Sequence, residues 1–328
     1  MFGLNSYLRT TYCYVKDRIE QRGESVLFYN WFGPNFWFRK FILSRGIPCD
    51  RNKAIALFSV FGEKFPIAMD RSLVKVFFTG ENLHRNEFGF SYQKYSDYLE
   101  NKHFDLSLAF DYSDASSYLR FPLWILPLID PENTTEVAIK KLCEKISNHP
   151  VSEIDSRRFC SVVSGHDPNG LRKNIYDSLI GIDEISCGGR FMNNTDELKL
   201  KFNNDKIRYL EQFKFNICPE NSNAPGYVTE KLIEAISSGA IPIYWGSDND
   251  PEPDILNKDA IIFWNRDGDN TKNIEFIRTL HENPQLYKDF YSQARLKPEA
   301  NVIISQCLDE LESRLRALID AKVDKLKS

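Results

Sequence analysis

Residues Phe213 to Trp245 read FKFNICPENSNAPGYVTEKLIEAISSGAIPIYW, and this stretch decides the fold. Phe213, Phe215 and Ile217 alternate with Lys214, Asn216 and Cys218, the period of a strand, until Pro219 removes a backbone donor and stops the ladder. Glu220, Asn221 and Ser222 are thereby delivered to a strand's carboxyl end, where open α/β sheets bind ligands. Thr229 is a good N-cap for a helix running through Leu232, Ile233 and Ile236, with Gly239 at C′. The apolar run from Ile241 to Trp245 then supplies the next strand.

Lys231 falls in the first turn of that helix, where the dipole disfavours a cation. An anionic ligand resolves the conflict, because backbone N–H groups, the dipole and an ammonium together suit a diphosphate. Glu230 cannot face the same anion without repulsion, so it fits sugar hydroxyls or developing positive charge better. Neighbouring helical residues point about 100° apart, which permits the division. Read locally, the same pair is also an ordinary solvated helix start.

The ordered set Glu220-Asn221-Ser222, Gly226-Tyr227-Val228-Thr229-Glu230-Lys231 and Ile241-Pro242-Ile243-Tyr244-Trp245-Gly246 resembles the donor-binding signature of the α1,3-fucosyltransferases, glycosyltransferase family 10, most of all the bacterial branch. Pro219 departs from it, standing where many relatives carry a bulky apolar residue. Upstream, Val162-Val163-Ser164 and Leu171-Arg172-Lys173-Asn174-Ile175-Tyr176-Asp177 are similar to the family's strand and Arg-bearing helix. Val76-Phe77-Phe78-Thr79-Gly80-Glu81-Asn82 reads as a buried strand and turn and matches the family's Thr-Gly-Glu-Asn segment. Leu108-Ala109-Phe110-Asp111, Tyr118-Leu119-Arg120-Phe121-Pro122-Leu123 and Tyr29-Asn30-Trp31-Phe32-Gly33 follow the same pattern. The resemblance implies GDP-fucose as donor, a single displacement with inversion, and O3 of N-acetylglucosamine in an N-acetyllactosamine-type glycan as acceptor, with O4 in a subset.

The implied roles follow the chemistry of each side chain. Glu81 is the catalytic base and Glu230 lies near the oxocarbenium-like sugar. Arg172 grips a phosphate with two parallel bonds, Lys231 adds charge, and Asn221 and Tyr227 bond ribose or fucose. With two cations on the diphosphate, no metal is required and a divalent ion is at most stimulatory. The competing enzyme reading takes Asp248-Asn249-Asp250 or Asp267-Gly268-Asp269 as the Asp-x-Asp of a metal-dependent glycosyltransferase. A non-catalytic carbohydrate-binding protein is the other alternative, and GDP binding separates it from both enzymes. No Gly-x-Gly-x-x-Gly follows a strand, which argues against a nicotinamide dehydrogenase.

With 328 residues the chain can bury two α/β cores, and its 42 basic against 46 acidic residues leave no excess for nucleic acid. The seven cysteines are scattered without a Cys-x-x-Cys pair, so neither structural zinc nor a disulfide framework is expected. Met1 to Arg22 has no apolar leader core, and Asn30, Pro34, Arg39 and Lys40 interrupt the apolar stretch that follows. A cytoplasmic protein, peripheral at the inner face of a bacterial membrane at most, is the resulting expectation. Alternating strand and helix patterns predict a GT-B-like α/β architecture of two doubly wound Rossmann-like domains facing a cleft, followed by C-terminal helices. The expected divisions are an acceptor domain over 1–150, a GDP-fucose domain over 151–300 and a last helix over 301–328. That helix repeats Leu308, Leu311, Leu315, Leu318 and Leu326, a seam for its own domains or for a second copy.

Overall fold

The apolar runs are short and bounded by turn residues, and helical patterns separate them, a layout that favours parallel pairing through crossovers. The computed structural model describes residues 14–31, 36–85, 92–99, 103–148 and 156–328. Cys13, Phe32-Gly33 of the first loop and His149-Pro150 of the expected linker lie outside these residues. Ten described strands form two five-stranded sheets in which every pairing is parallel.

The first sheet holds β1 (Val26–Tyr29), β2 (Ile55–Phe58), β3 (Val74–Phe78), β4 (Leu106–Ala109) and β5 (Tyr118–Arg120), side by side in chain order. The second holds β6 (Arg158–Val162), β7 (Ile185–Cys187), β8 (Phe213–Ile217), β9 (Ile241–Tyr244) and β10 (Ile262–Phe263), in the order β10-β9-β8-β6-β7. Here the chain steps from β6 to β7 on one side and then crosses back to β8 on the other. That reversal, which defines a doubly wound sheet, was expected in both halves and occurs in the second. An alternating sequence pattern specifies parallel pairing, but the direction in which each crossover returns specifies the order.

Strand β8 shows what its central place does. Phe213, Phe215 and Ile217 are buried as their spacing predicts, but Asn216 and Cys218 are buried as well. Central in its sheet, with β6 and β9 along its edges, the strand is buried on both faces. Asn216 is satisfied there by donating Nδ2 to Ser161 O and Oγ at 3.1 and 3.0 Å. The crowded aromatic residues near the start go largely to the core, with Phe28, Tyr29, Trp37 and Phe38 buried. Tyr29 stacks on Phe58 with ring centroids 5.1 Å apart.

Contacts divide the chain into one unit of residues 1–134 with 306–328 and another of 135–305. The helix Ala300–Lys327 therefore returns most of its length to the first unit. Leu308, Leu311, Leu315 and Ile319 are buried along it. Arg45 bonds Asp309 and Glu312 at 2.8 and 2.9 Å, Arg314 donates to the carbonyls of Ser116 and Tyr118, and Lys322 pairs with Asp105. Of the leucines in the repeat, Leu318 is half-buried and Leu326 is exposed. Among the described residues, no helix is long and apolar enough to cross a membrane.

Candidate functional site

Crossing back from β7 to β8 splays the loops at the carboxyl ends of the second sheet, and an open pocket of about 380 Å³ lies there. Val163 to His166 follow β6, Gly189 and Arg190 follow β7, and Asn221 follows β8. Glu230 and Lys231 enter from the start of the helix Glu230–Ser237, and Lys206 from the helix Lys206–Leu210. Arg190, Lys206 and Lys231 thus line the pocket together with one carboxylate, that of Glu230. Gly189 is required for this shape, since a Cβ there would sit 2.2 Å from Ser164 O.

Thr229 occupies the N-cap position, but its hydroxyl does not cap the helix. It donates instead to Glu220 Oε2 at 2.6 Å and accepts from Lys231 Nζ at 2.7 Å. The Lys231 ammonium also lies 3.2 Å from Glu220 Oε2 and 3.2 Å from Glu230 Oε1. Burial disfavours this ammonium, but Glu220 and Glu230 outweigh it and hold its pKa above the usual lysine value. Burial likewise works against the Glu230 carboxylate, yet Lys231 and then Lys206 pull it down to about 2. Glu230 remains ionised at neutral pH, with its side chain 34% exposed beside the pocket.

Arg172 sits behind the lining residues. It is 1% exposed, and its guanidinium donates to the carbonyl oxygens of His166 (3.0 Å) and Pro219 (2.9 Å) and to Asn221 Oδ1 (2.9 Å). Burial lowers its pKa against the pull of Asp167, Glu220 and Glu230. Arg172 therefore ties the loop after β6 to the turn after β8. Asn221 lines the pocket, whereas Tyr227 is buried and does not. Arg190 and Lys206 are the additions that sequence reasoning missed, while Glu220, placed there only at the strand's end, gains Thr229 and Lys231 as partners. Arg190 follows the Gly188-Gly189 turn at a strand end, a signal that was there to read; Lys206 opens a short helix whose proximity only the folded chain creates.

Glu81 lies in the first unit, just past β3. Its N–H donates to Thr79 Oγ1 at 3.0 Å, so the Thr79-Gly80 turn sets its direction as expected. It lines a pocket of about 210 Å³ whose walls include Trp31, Phe61, Leu123 and Leu126. Trp31 stacks on Phe78 there, with ring centroids 5.6 Å apart. One carboxylate against an apolar, aromatic wall suits a sugar, which offers hydroxyls at its edge and C–H groups on its face. Close by in sequence, His84 Nε2 lies 2.5 Å from Asp111 Oδ1.

The two acidic turns have structural partners. Asp250 pairs with Lys258 at 2.6 Å, and Asp248 bonds the Asn223 side chain. Asp269 accepts from the Thr271 N–H and hydroxyl ahead of the helix Thr271–Glu282, which lowers its pKa. Asp267 is largely exposed.

Two family models match the chain: glycosyltransferase family 10 (fucosyltransferase) C-term over residues 151–306, and the α-(1,3)-fucosyltransferase FucT N-terminal domain over 24–127. The α-(1,3)-fucosyltransferase FucT of Helicobacter pylori is 30% identical over 245 residues, covering 66% of this chain and 46% of that protein. The chain spans less than half the length of the curated relatives it matches. A crystal structure of α1,3-fucosyltransferase superposes with a TM-score of 0.56 at 21% identity, covering 88% of this chain and 89% of that one. A second, with GDP-fucose, gives 0.51 at 23% identity over 80% and 77%. The fold is that of these GT-B enzymes. Both halves of the chain match fucosyltransferase models, and the chain belongs to glycosyltransferase family 10.

Proposed function

We propose that this chain transfers fucose from GDP-fucose to a glycan hydroxyl, with inversion at the anomeric carbon. The observation that carries the donor half is the cationic pocket at the switch point of the second sheet, where Arg190, Lys206 and Lys231 surround a space beside the start of a helix. Lys231 neutralises the diphosphate directly. Arg172 reaches a phosphate by exchanging its bond to Asn221 Oδ1 for one to the ligand, and otherwise holds the loops that shape the pocket. Asn221 bonds the donor's ribose or fucose, and Tyr227 contributes through the turn it buries. Glu230, anionic and partly exposed, stabilises positive charge that builds on the sugar as GDP departs.

The acceptor half rests on the pocket around Glu81. Glu81 takes the proton of the attacking hydroxyl, and the aromatic wall packs the sugar's apolar face. The acceptor we infer is N-acetylglucosamine within an N-acetyllactosamine-type unit, attacked at O3, with O4 as the alternative position. Charge neutralisation by side chains makes a metal dispensable in this scheme. The test is transfer from GDP-fucose to a panel of disaccharides, with linkage analysis of the product. Fucose appearing at O3 of N-acetylglucosamine supports the reading; GDP-fucose that neither binds nor reacts with any member of the panel overturns it.

A further inference from the structure

Glu220 is fully buried at the carboxyl end of β8, and the partners of its carboxylate among the described residues are all donors. Oε1 accepts from the Thr229 N–H at 2.8 Å, and Oε2 from the Thr229 hydroxyl at 2.6 Å and Lys231 Nζ at 3.2 Å. Its own N–H donates to Trp245 O at 2.8 Å. Gly246 lies against it so closely that a Cβ there would come within 2.7 Å of Glu220 Cγ. The side chain is thus fixed by the ends of two adjacent strands and aimed at the helix that lines the pocket. A buried carboxylate is costly unless paired and hydrogen-bonded, so this arrangement calls for a role.

Two consequences reach the pocket. The Thr229 hydroxyl is drawn to Glu220, which leaves the helix without the cap that Thr229 would otherwise supply. The Lys231 ammonium is held at the pocket wall by Glu220 and Thr229 instead of ranging through water on its flexible stem. We propose that Glu220 is a positioning residue for diphosphate binding, setting the Lys231 cation and an uncapped helix terminus so that both meet one phosphate. This rests on the GDP-fucose reading above.

Glu220→Gln keeps size and shape but must turn its amide N–H₂ toward either the Thr229 N–H or the Lys231 ammonium. Donor then faces donor in either orientation, and the lysine loses its anionic partner. Affinity for GDP should fall about tenfold to a hundredfold, while affinity for guanosine, which has no phosphate, stays at the wild-type value. General structural damage would lower both. The experiment is calorimetric titration of wild type and variant with GDP, and with guanosine by displacement, alongside thermal melts. A wild type with no preference for GDP over guanosine overturns the diphosphate reading itself. A wild-type preference that Glu220→Gln retains in full refutes the role of Glu220 alone. If that variant does not fold, Thr229→Val carries the question, because its hydroxyl caps nothing and only links Glu220 to Lys231. It should lose several-fold of the preference, and a fully retained preference overturns the proposal.

Discussion

Replacing Lys231 by alanine tests the proposed donor binding and the acid stability of the second unit together. In the native site its ammonium is 2.7 Å from Thr229 Oγ1 and 3.2 Å from both Glu220 Oε2 and Glu230 Oε1. A donor diphosphate would lose one charged hydrogen bond, roughly 1.5 to 3 kcal/mol, or about tenfold to a hundredfold in GDP affinity. Breaking a buried ion pair costs about 3 to 5 kcal/mol when the remaining charge is stranded. Glu220 keeps both donors of Thr229, so the loss of stability should fall short of that range. Glu230 adds a pH signature. Its folded pKa, about 2, lies below the ordinary 4.5, so its ionised form stabilises the fold above pH 4.5, and that contribution disappears as pH falls toward about 2. Because the side chain is about one third exposed, solvent screening reduces the effect. Without Lys231, Glu230 should titrate nearer its ordinary value, so the variant's own acid loss should be smaller and complete at a higher pH. Calorimetry with GDP and thermal melts between pH 4.5 and 2, on both proteins, measure the two effects. A folded variant that binds GDP like wild type and keeps the same acid limb would remove Lys231 from the site.

Glu81→Gln should lower transfer by about a hundredfold to ten-thousandfold with GDP-fucose affinity unchanged, and abolish the acidic limb of the rate profile; nearly full activity would move the base to another group, with Asp111 and Asp114 next to be tested. Transfer should persist after exhaustive chelation. A chelated enzyme that is inactive until a divalent ion restores it would favour the Asp-x-Asp alternative at Asp248 or Asp267. Arg172→Ala should weaken GDP binding and also lower the melting temperature, since the carbonyls of His166 and Pro219 lose a buried donor at about 1 to 3 kcal/mol each. Unchanged melting together with unchanged GDP affinity would contradict both roles assigned to it.

Residues 213–245 show how far local pattern reaches. Strand period, the proline stop, the helix and its Gly239 terminus all depend on neighbours within a few positions, and each appears where the pattern places it. Glu230 and Lys231 were legible as a helix start for the same reason, but the side chains that the helical turn set about 100° apart meet as an ion pair at 3.2 Å and line one pocket. Other features depend on which distant segments become neighbours. Asn216 alternates with the apolar residues of β8 as a solvent-facing residue would, yet it is buried because β8 lies at the centre of its sheet between β9 and β6. Thr229 looked like a cap, but Glu220 competes for the same hydroxyl as a charged acceptor across the turn. Arg172 looked like a ligand-facing arginine, yet its guanidinium meets two loop carbonyls and Asn221 in the fold. Lys206 carried no sequence signal because nothing near it in the chain points toward the pocket. Periodicity, proline and helix-terminus preferences act over one or two turns of chain, so sequence alone established the elements, the ligand-binding end of the sheet and the family signature. Strand order, two-faced burial and the partner of each buried charge are settled by long-range packing, and only the tertiary structure decided those.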